Sequence, residues 1–317
     1  MGISSRILLA LGLLLTAAAS AAAQNYPARP LNMIVPFPPG GNTDIMGRAL
    51  QNELGKALGQ TIVIVNKGGA AGVIGINELV KAQPDGYTIA LTPNNPLTAQ
   101  PHLQKLSYGL DSFRYICLTY YAPYVLIAGP QAPFKTFSEF VTFAKAKSEN
   151  LVYGHPGVAS QPQLGMLAVL KAIGADALGV PFQGAGPMSH ALLSGTVMAI
   201  TETPSVARAS NLPILAALAE ERIAALPDVP TMRELGFPAE SFTAGGLIAP
   251  ASTPDNVVAV LDKACAQATA AEDYKAIVER LNATPRYLPG AAFRKMFDED
   301  SIRSADAIQR AGLAGNR

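Results

Sequence analysis

Between residues 31 and 91 the sequence alternates short apolar runs with longer helical patterns, and this alternation limits the fold more than any other feature. Leu31-Asn32-Met33-Ile34-Val35 reads as a strand. After the loop Pro36–Asp44, apolar Ile45, Ala49, Leu50, Leu54, Ala57 and Leu58 recur at helical spacing until Gly59 stops them. Ile62–Val65 is a second strand, Gly75–Ala82 a second helix, and Tyr87–Leu91 a third strand after the turn Pro84-Asp85-Gly86. Strands alternating with helices in this way argue for a parallel sheet flanked by helices.

A second α/β series starts near Ile116. Val125–Ala128, Leu151–Tyr153, Val197–Thr201 and Pro213–Ala219 read as strands, and Phe137–Lys147, Gln163–Ile173 and Pro187–Leu193 as helices. Long helices close the chain at Pro254–Ala271, Glu272–Leu281 and Gly290–Ala311. Packing of these last helices on the first unit implies two α/β lobes, the second inserted into the first. The expected division is 25–121 with 246–317 for one lobe and 122–245 for the other, each a mostly parallel sheet flanked by helices. The chain would cross between them near Tyr120–Pro123 and Gly245–Leu247.

The 317 residues suffice for two such units, and with 49% hydrophobic and 15% charged residues the chain is not of a disordered type. Residues 1–24 read as a secretory signal peptide, with Arg6 as the positive region, Ile7–Leu15 as the apolar stretch and Ala21-Ala22-Ala23 as the cleavage site. Removing Arg6 leaves 23 basic against 23 acidic residues, so no basic field exists for nucleic acid. A soluble, exported, periplasmic protein is expected. Cys117 and Cys265 are read as buried small hydrophobes, with a single bridge as the alternative. His102, His155 and His190 stand far apart, and neither a metal site nor a cofactor is expected.

No G-x-S-x-G elbow, phosphate-binding loop or H-E-x-x-H motif occurs. Gly184-Ala185-Gly186 only begins a dinucleotide fingerprint, since Ser189 fills its last position. The informative segments are loops that open helices. Gly40-Gly41-Asn42-Thr43 leads straight into a helix, and such a terminus presents unpaired N–H groups and the positive end of the helix dipole to an anion. Gly157-Val158-Ala159-Ser160-Gln161-Pro162 does the same in the other lobe, and Thr92-Pro93-Asn94-Asn95 is a third loop on the first lobe's edge. All three follow strand carboxyl ends, where ligands bind in such sheets. The arrangement suits a small carboxylate held between lobes.

At these residues the chain resembles the Bug, or TctC-like, extracytoplasmic receptors of tripartite tricarboxylate transporters. The matching pieces include Tyr26-Pro27 to Pro30, Ile34–Gly41 with Thr43-Asp44, Ala82–Thr88, Tyr153-Gly154 with Gly157 and Ser160, Val180–Gly184, Leu226–Thr231, and Pro250 with Thr253-Pro254. They follow the family's order along essentially the whole mature chain. The resemblance implies a two-lobed, Venus-flytrap binding protein, monomeric and without enzymatic activity, that closes on one organic acid and delivers it to membrane transporter subunits. By position it assigns Phe37, Gly41, Thr43, Gly157 and Ser160 to the carboxylate. The full candidate ligand-binding set adds Gly40, Asn42, Asn94, Tyr121, His155, Ala159, Gln183, Gly184 and Glu202.

The departures from the family bear on specificity. His155 stands where Ser is usual, Ala159 where Gly is usual, and Thr201-Glu202 where Phe-Asp is common. His155 could reach the far end of a ligand. Glu202 could accept from a ligand hydroxyl or amino group, or repel a second carboxylate. Ala244-Gly245 replaces a common aromatic pair while Tyr120 and Tyr121 add bulk at the other crossing. The tyrosines are expected to refill that volume and to line the cleft, where an aromatic wall would favour a flat or aromatic acid. Two further classes fit the same sequence: a ligand sensor touching a sensor kinase, and a secreted α/β hydrolase, for which the sequence places no nucleophile and base.

Overall fold

The computed structural model describes residues 26–314. In chain order the elements are β1 (Leu31–Val35), α1 (Asn42–Leu58), β2 (Ile62–Asn66), α2 (Val73–Val80), β3 (Thr88–Pro93), α3 (Asn95–Thr98), α4 (Gln100–Leu103), β4 (Phe113–Pro123) and β5 (Val125–Ala128). Next come α5 (Phe137–Ala146), β6 (Val152–His155), α6 (Gln161–Ile173), β7 (Leu178–Pro181), α7 (Ala185–Leu193), β8 (Ala199–Glu202), α8 (Pro204–Ala209) and β9 (Ile214–Ala217). The last are β10 (Phe242–Pro250), α9 (Asp255–Ala270), α10 (Glu272–Arg280), β11 (Thr284–Pro289) and α11 (Gly290–Arg310). The signal-peptide assignment lies outside the described residues.

Two sheets form, in the orders β11-β4-β10-β3-β1-β2 and β7-β6-β8-β5-β9. Each has a parallel heart: β1 pairs in parallel with β2 and β3, and β6 with β7 and β8. Antiparallel strands complete both, because the chain runs up β4 into the second sheet and back down β10 into the first. The expected boundaries 121/122 and 245/246 fall inside paired β4 and β10. The change of sheet comes at Tyr124 and Ser241, where Tyr124 N–H donates to Ser241 O and Leu218 N–H to Tyr124 O, each at 2.9 Å.

Strand alternation fills both faces of each sheet. On the first, Leu31, Met33 and Leu247 face α1, α9 and α10, while Ile34, Ile248 and Phe293 pack with α2 and α11 on the other side. On the second, Leu126 meets Phe140 and Leu170, and Ile127 meets Met188 and Leu192. A small cluster of Ala99, Ala159, Leu164 and Ile308 joins the two lobes. Left-handed glycines end α1 and α6, Gly59 at φ 65° and Gly174 at φ 68°, as helix stops require.

The sheets depart from the mostly parallel expectation: three of five pairings in the first and two of four in the second are antiparallel, because the strands that cross between the lobes enter each sheet reversed. Two further expectations change. Cys117 and Cys265 are joined in a disulfide rather than being two separate small hydrophobes. Both side chains are fully buried in the layer where β4 packs on α9, so their thiols are brought together by the packing itself. The other change is β11, a strand where the sequence suggested only a connection. It carries Pro285 and Pro289 and lies mostly exposed at the edge of the sheet, where a missing N–H is tolerated and no apolar alternation is needed.

Candidate functional site

The loop after β1 is built around Asp44. Its carboxylate, almost wholly buried, accepts from Gly40 N–H at 2.9 Å, Asn66 Nδ2 at 2.8 Å and Arg48 Nε at 2.9 Å. Burial alone would raise its pKa, but these bonds outweigh it and hold the carboxyl below its ordinary value. Asn66 also donates to Phe37 O at 3.1 Å, and Gly40 takes φ 82°. The loop is therefore pinned from beneath, and Gly41 becomes the N-cap of α1 in extended backbone. Among the described residues no side chain caps this terminus. The N–H groups around Asn42 and Thr43 thus point outward with the helix dipole behind them.

The loop after β6 is organised differently. The carbonyl of Gly157, at φ 136°, accepts from His155 Nδ1 at 2.8 Å and from Ser160 N–H at 3.3 Å. Ser160 Oγ caps α6 by accepting from Gln163 N–H, and Gln163 Oε1 accepts from Ala159 N–H. Ala159 is fully buried at φ 53°, the left-handed region where glycine is usual. Its carbonyl accepts from Asn95 Nδ2 at 3.1 Å. Both backbone groups of Ala159 are engaged, so this expected ligand contact instead ties the two lobes. His155 is 2% exposed, and its Nδ1–H braces Gly157, so it supports the loop instead of reaching outward. Burial, against that bond, holds its imidazole below the ordinary pKa.

Gln183 and Gly184 lie after β7. Gln183 is exposed, and Gly184, at φ 99°, caps α7 with no side-chain cap among the described residues. Glu202 ends β8 at 9% exposure, accepts from Thr203 N–H at 2.7 Å, and has its pKa raised by burial. These loops all follow carboxyl ends of parallel strands. The Asn95–Ala159 bond shows that the two carboxyl edges meet.

Two predicted residues are placed elsewhere. Asn94 is fully buried, with Nδ2 donating to Asp300 at 2.9 Å and Phe242 O at 3.3 Å and Oδ1 accepting from Ala244 N–H. Both ends of its side-chain amide are engaged within the protein; its neighbour Asn95 makes the contact across the lobes. Tyr121 packs against Phe242, ring centroids 5.1 Å apart, with Arg286 over its ring. Strand alternation sends Tyr120 to the opposite face, beside Thr43 and Thr243. Tyr120, not Tyr121, therefore adjoins the opening loop. Asn66 and Tyr124 carry no sequence signal; Asp44 appears only within the family match and Asn95 only within the third loop.

The fold and paired loops define a two-lobed periplasmic solute-binding protein. The chain belongs to the tripartite tricarboxylate transporter family receptors, TctC, whose model matches residues 46–313. It is 33% identical to Protein BugT of Bordetella pertussis, over 97% of this chain and 98% of that one. A protein of Cupriavidus necator, from the gbd 5' region, is 30% identical over 93% and 91% of the two chains. A TctC solute-binding protein from Polaromonas superposes with TM-score 0.83 at 32% identity, covering 90% of this chain and 100% of that one. MatC of Rhodopseudomonas palustris, solved with bound malate, gives TM-score 0.73 at 32% identity, with 89% and 100% covered. Family and fold are those of solute-binding receptors.

Proposed function

We propose that this protein is a periplasmic receptor that captures a small organic acid between its lobes and delivers it to the membrane subunits of a tripartite tricarboxylate-type transporter. The carrying observation is the open N-terminus of α1 at Gly41, held outward by Asp44. A carboxylate there takes several N–H donors and the helix dipole without needing a Lys or Arg. The Thr43 hydroxyl, beside the Tyr120 phenol, stands in the first turn. Gly184 opens α7 on the other lobe in the same way. Capture is a closure of lobes 26–123 with 242–314 against 124–241, hinged at Tyr124 and Ser241 and favoured by the ligand's contacts to both. The receptor works as a monomer. Malate in the related MatC is consistent with this class of ligand.

A thermal-shift screen against about a hundred organic acids tests the reading. A ligand at ~100 times its dissociation constant adds about 2.7 kcal/mol to stability, which gives a visible shift. At least one carboxylate is expected to shift the transition. Silence across all carboxylates with folded protein overturns the proposal.

A further inference from the structure

Glu202 is nine-tenths buried, yet no cation pairs with it among the described residues. It accepts from Thr203 N–H at 2.7 Å, and the Thr203 hydroxyl adds a second neutral interaction. A carboxylate so far removed from water is poorly compensated by the neutral donors of one threonine. Tyr124 stands beside it: it precedes Val125, which pairs with Glu202 across β5 and β8, and the Glu202 and Asp300 carboxylates and the Tyr120 phenol all act on its phenol. Tyr124 is 6% exposed, and its hydroxyl makes no hydrogen bond among the described residues. Its backbone is fixed at the hinge by Ser241 and Leu218. Tyr120 in turn adjoins Thr43, at the open end of α1. The hinge therefore carries a short polar row, with donors at the α1 end and an unmatched acceptor at the Glu202 end.

We propose that Glu202 and Tyr124 form a second pole of the cleft that reads a hydrogen-bond donor, and that the ligand is an amino acid. This rests on the receptor reading above. The ligand's carboxylate goes to the open helix end, and its ammonium group to Glu202 and the Tyr124 oxygen. An ammonium supplies the charge that Glu202 lacks, with charge-assisted bonds that neutral donors do not match. A second carboxylate at this pole meets a like charge with no cation between them.

Calorimetric titration with matched series tests this: propionate, lactate and alanine, and succinate, malate and aspartate. Within each series the members differ only by H, OH or ammonium at one carbon. The ammonium member of at least one series is expected to bind ten-fold or more tighter than both its partners. Glu202→Gln, checked for an unchanged fold by circular dichroism, is expected to erase that preference while still binding carboxylates. Equal or tighter binding of the unsubstituted or hydroxy acid, or a preference that survives Glu202→Gln, overturns the proposal. So does binding of other organic acids with none of either series bound, which leaves the receptor reading standing. Absence of binding by any carboxylate removes both.

Discussion

Asp44 decides the shape of the loop to which the proposed carboxylate binds. Replacing it with Ala leaves the Gly40 N–H and Asn66 amide without their acceptor, a loss of about 1–3 kcal/mol by the usual penalty for unmatched groups. Asp44→Ala is expected to lower stability by that amount in urea titration and to weaken carboxylate binding in parallel. The pH dependence has a fixed sign. The folded-state pKa of Asp44 is lowered, so its contribution is present above the ordinary carboxylate range and is lost as pH falls through the depressed value. The wild type is therefore expected to lose stability on acidification in that range more steeply than the variant. At this scale the sequence was only partly legible. The glycine pair and Thr43 announced a loop opening a helix. Adjacent asparagines look alike in sequence, however, and only packing sends Asn94 into the core and Asn95 across the lobes. Ala159 likewise hides a left-handed backbone under a residue that rarely adopts one.

Elements with strong periodicity were legible: α1, α6 and α9 stand close to where their apolar stripes place them. β11 was not, since an exposed edge strand with two prolines has no pattern to read. The pairing of β4 with β10 explains the exchange of bulk noticed at the two crossings. A Cβ on Gly245 would lie 2.5 Å from the Tyr120 hydroxyl and 2.6 Å from its ring, so the tyrosine occupies the space a larger residue would need. Gly245→Ala is expected to destabilise by about 1–3 kcal/mol through overpacking. Combined with Tyr120→Leu, the loss should be smaller than the sum of the two single changes, as measured by a double-mutant cycle in denaturant. Additive losses would show that the two positions do not share that volume. Tyr121 packs on Phe242, away from Tyr120, because a one-residue step along a strand reverses the face.

At the scale of the molecule, two crossings at Tyr124 and Ser241 and the contacts between α6 and α11 connect the lobes. Gln161 donates to Asp300 at 3.4 Å, and Lys171 pairs with Asp306 at 2.8 Å. The disulfide lies within one lobe, between β4 and α9. Replacing both cysteines with Ser is expected to cost about 2–5 kcal/mol of stability, seen as a lower melting temperature, while saturating ligand still binds. The cysteines are 148 positions apart, and everything from Val125 to Ser241 lies between them. The covalent ring they close therefore contains the whole inserted lobe. A protease that nicks that lobe, even at the exposed Gln183 beside the cleft, produces two chains that remain one molecule. Such a nicked receptor runs at full mass on a gel without reductant and separates into fragments only when the bridge is reduced.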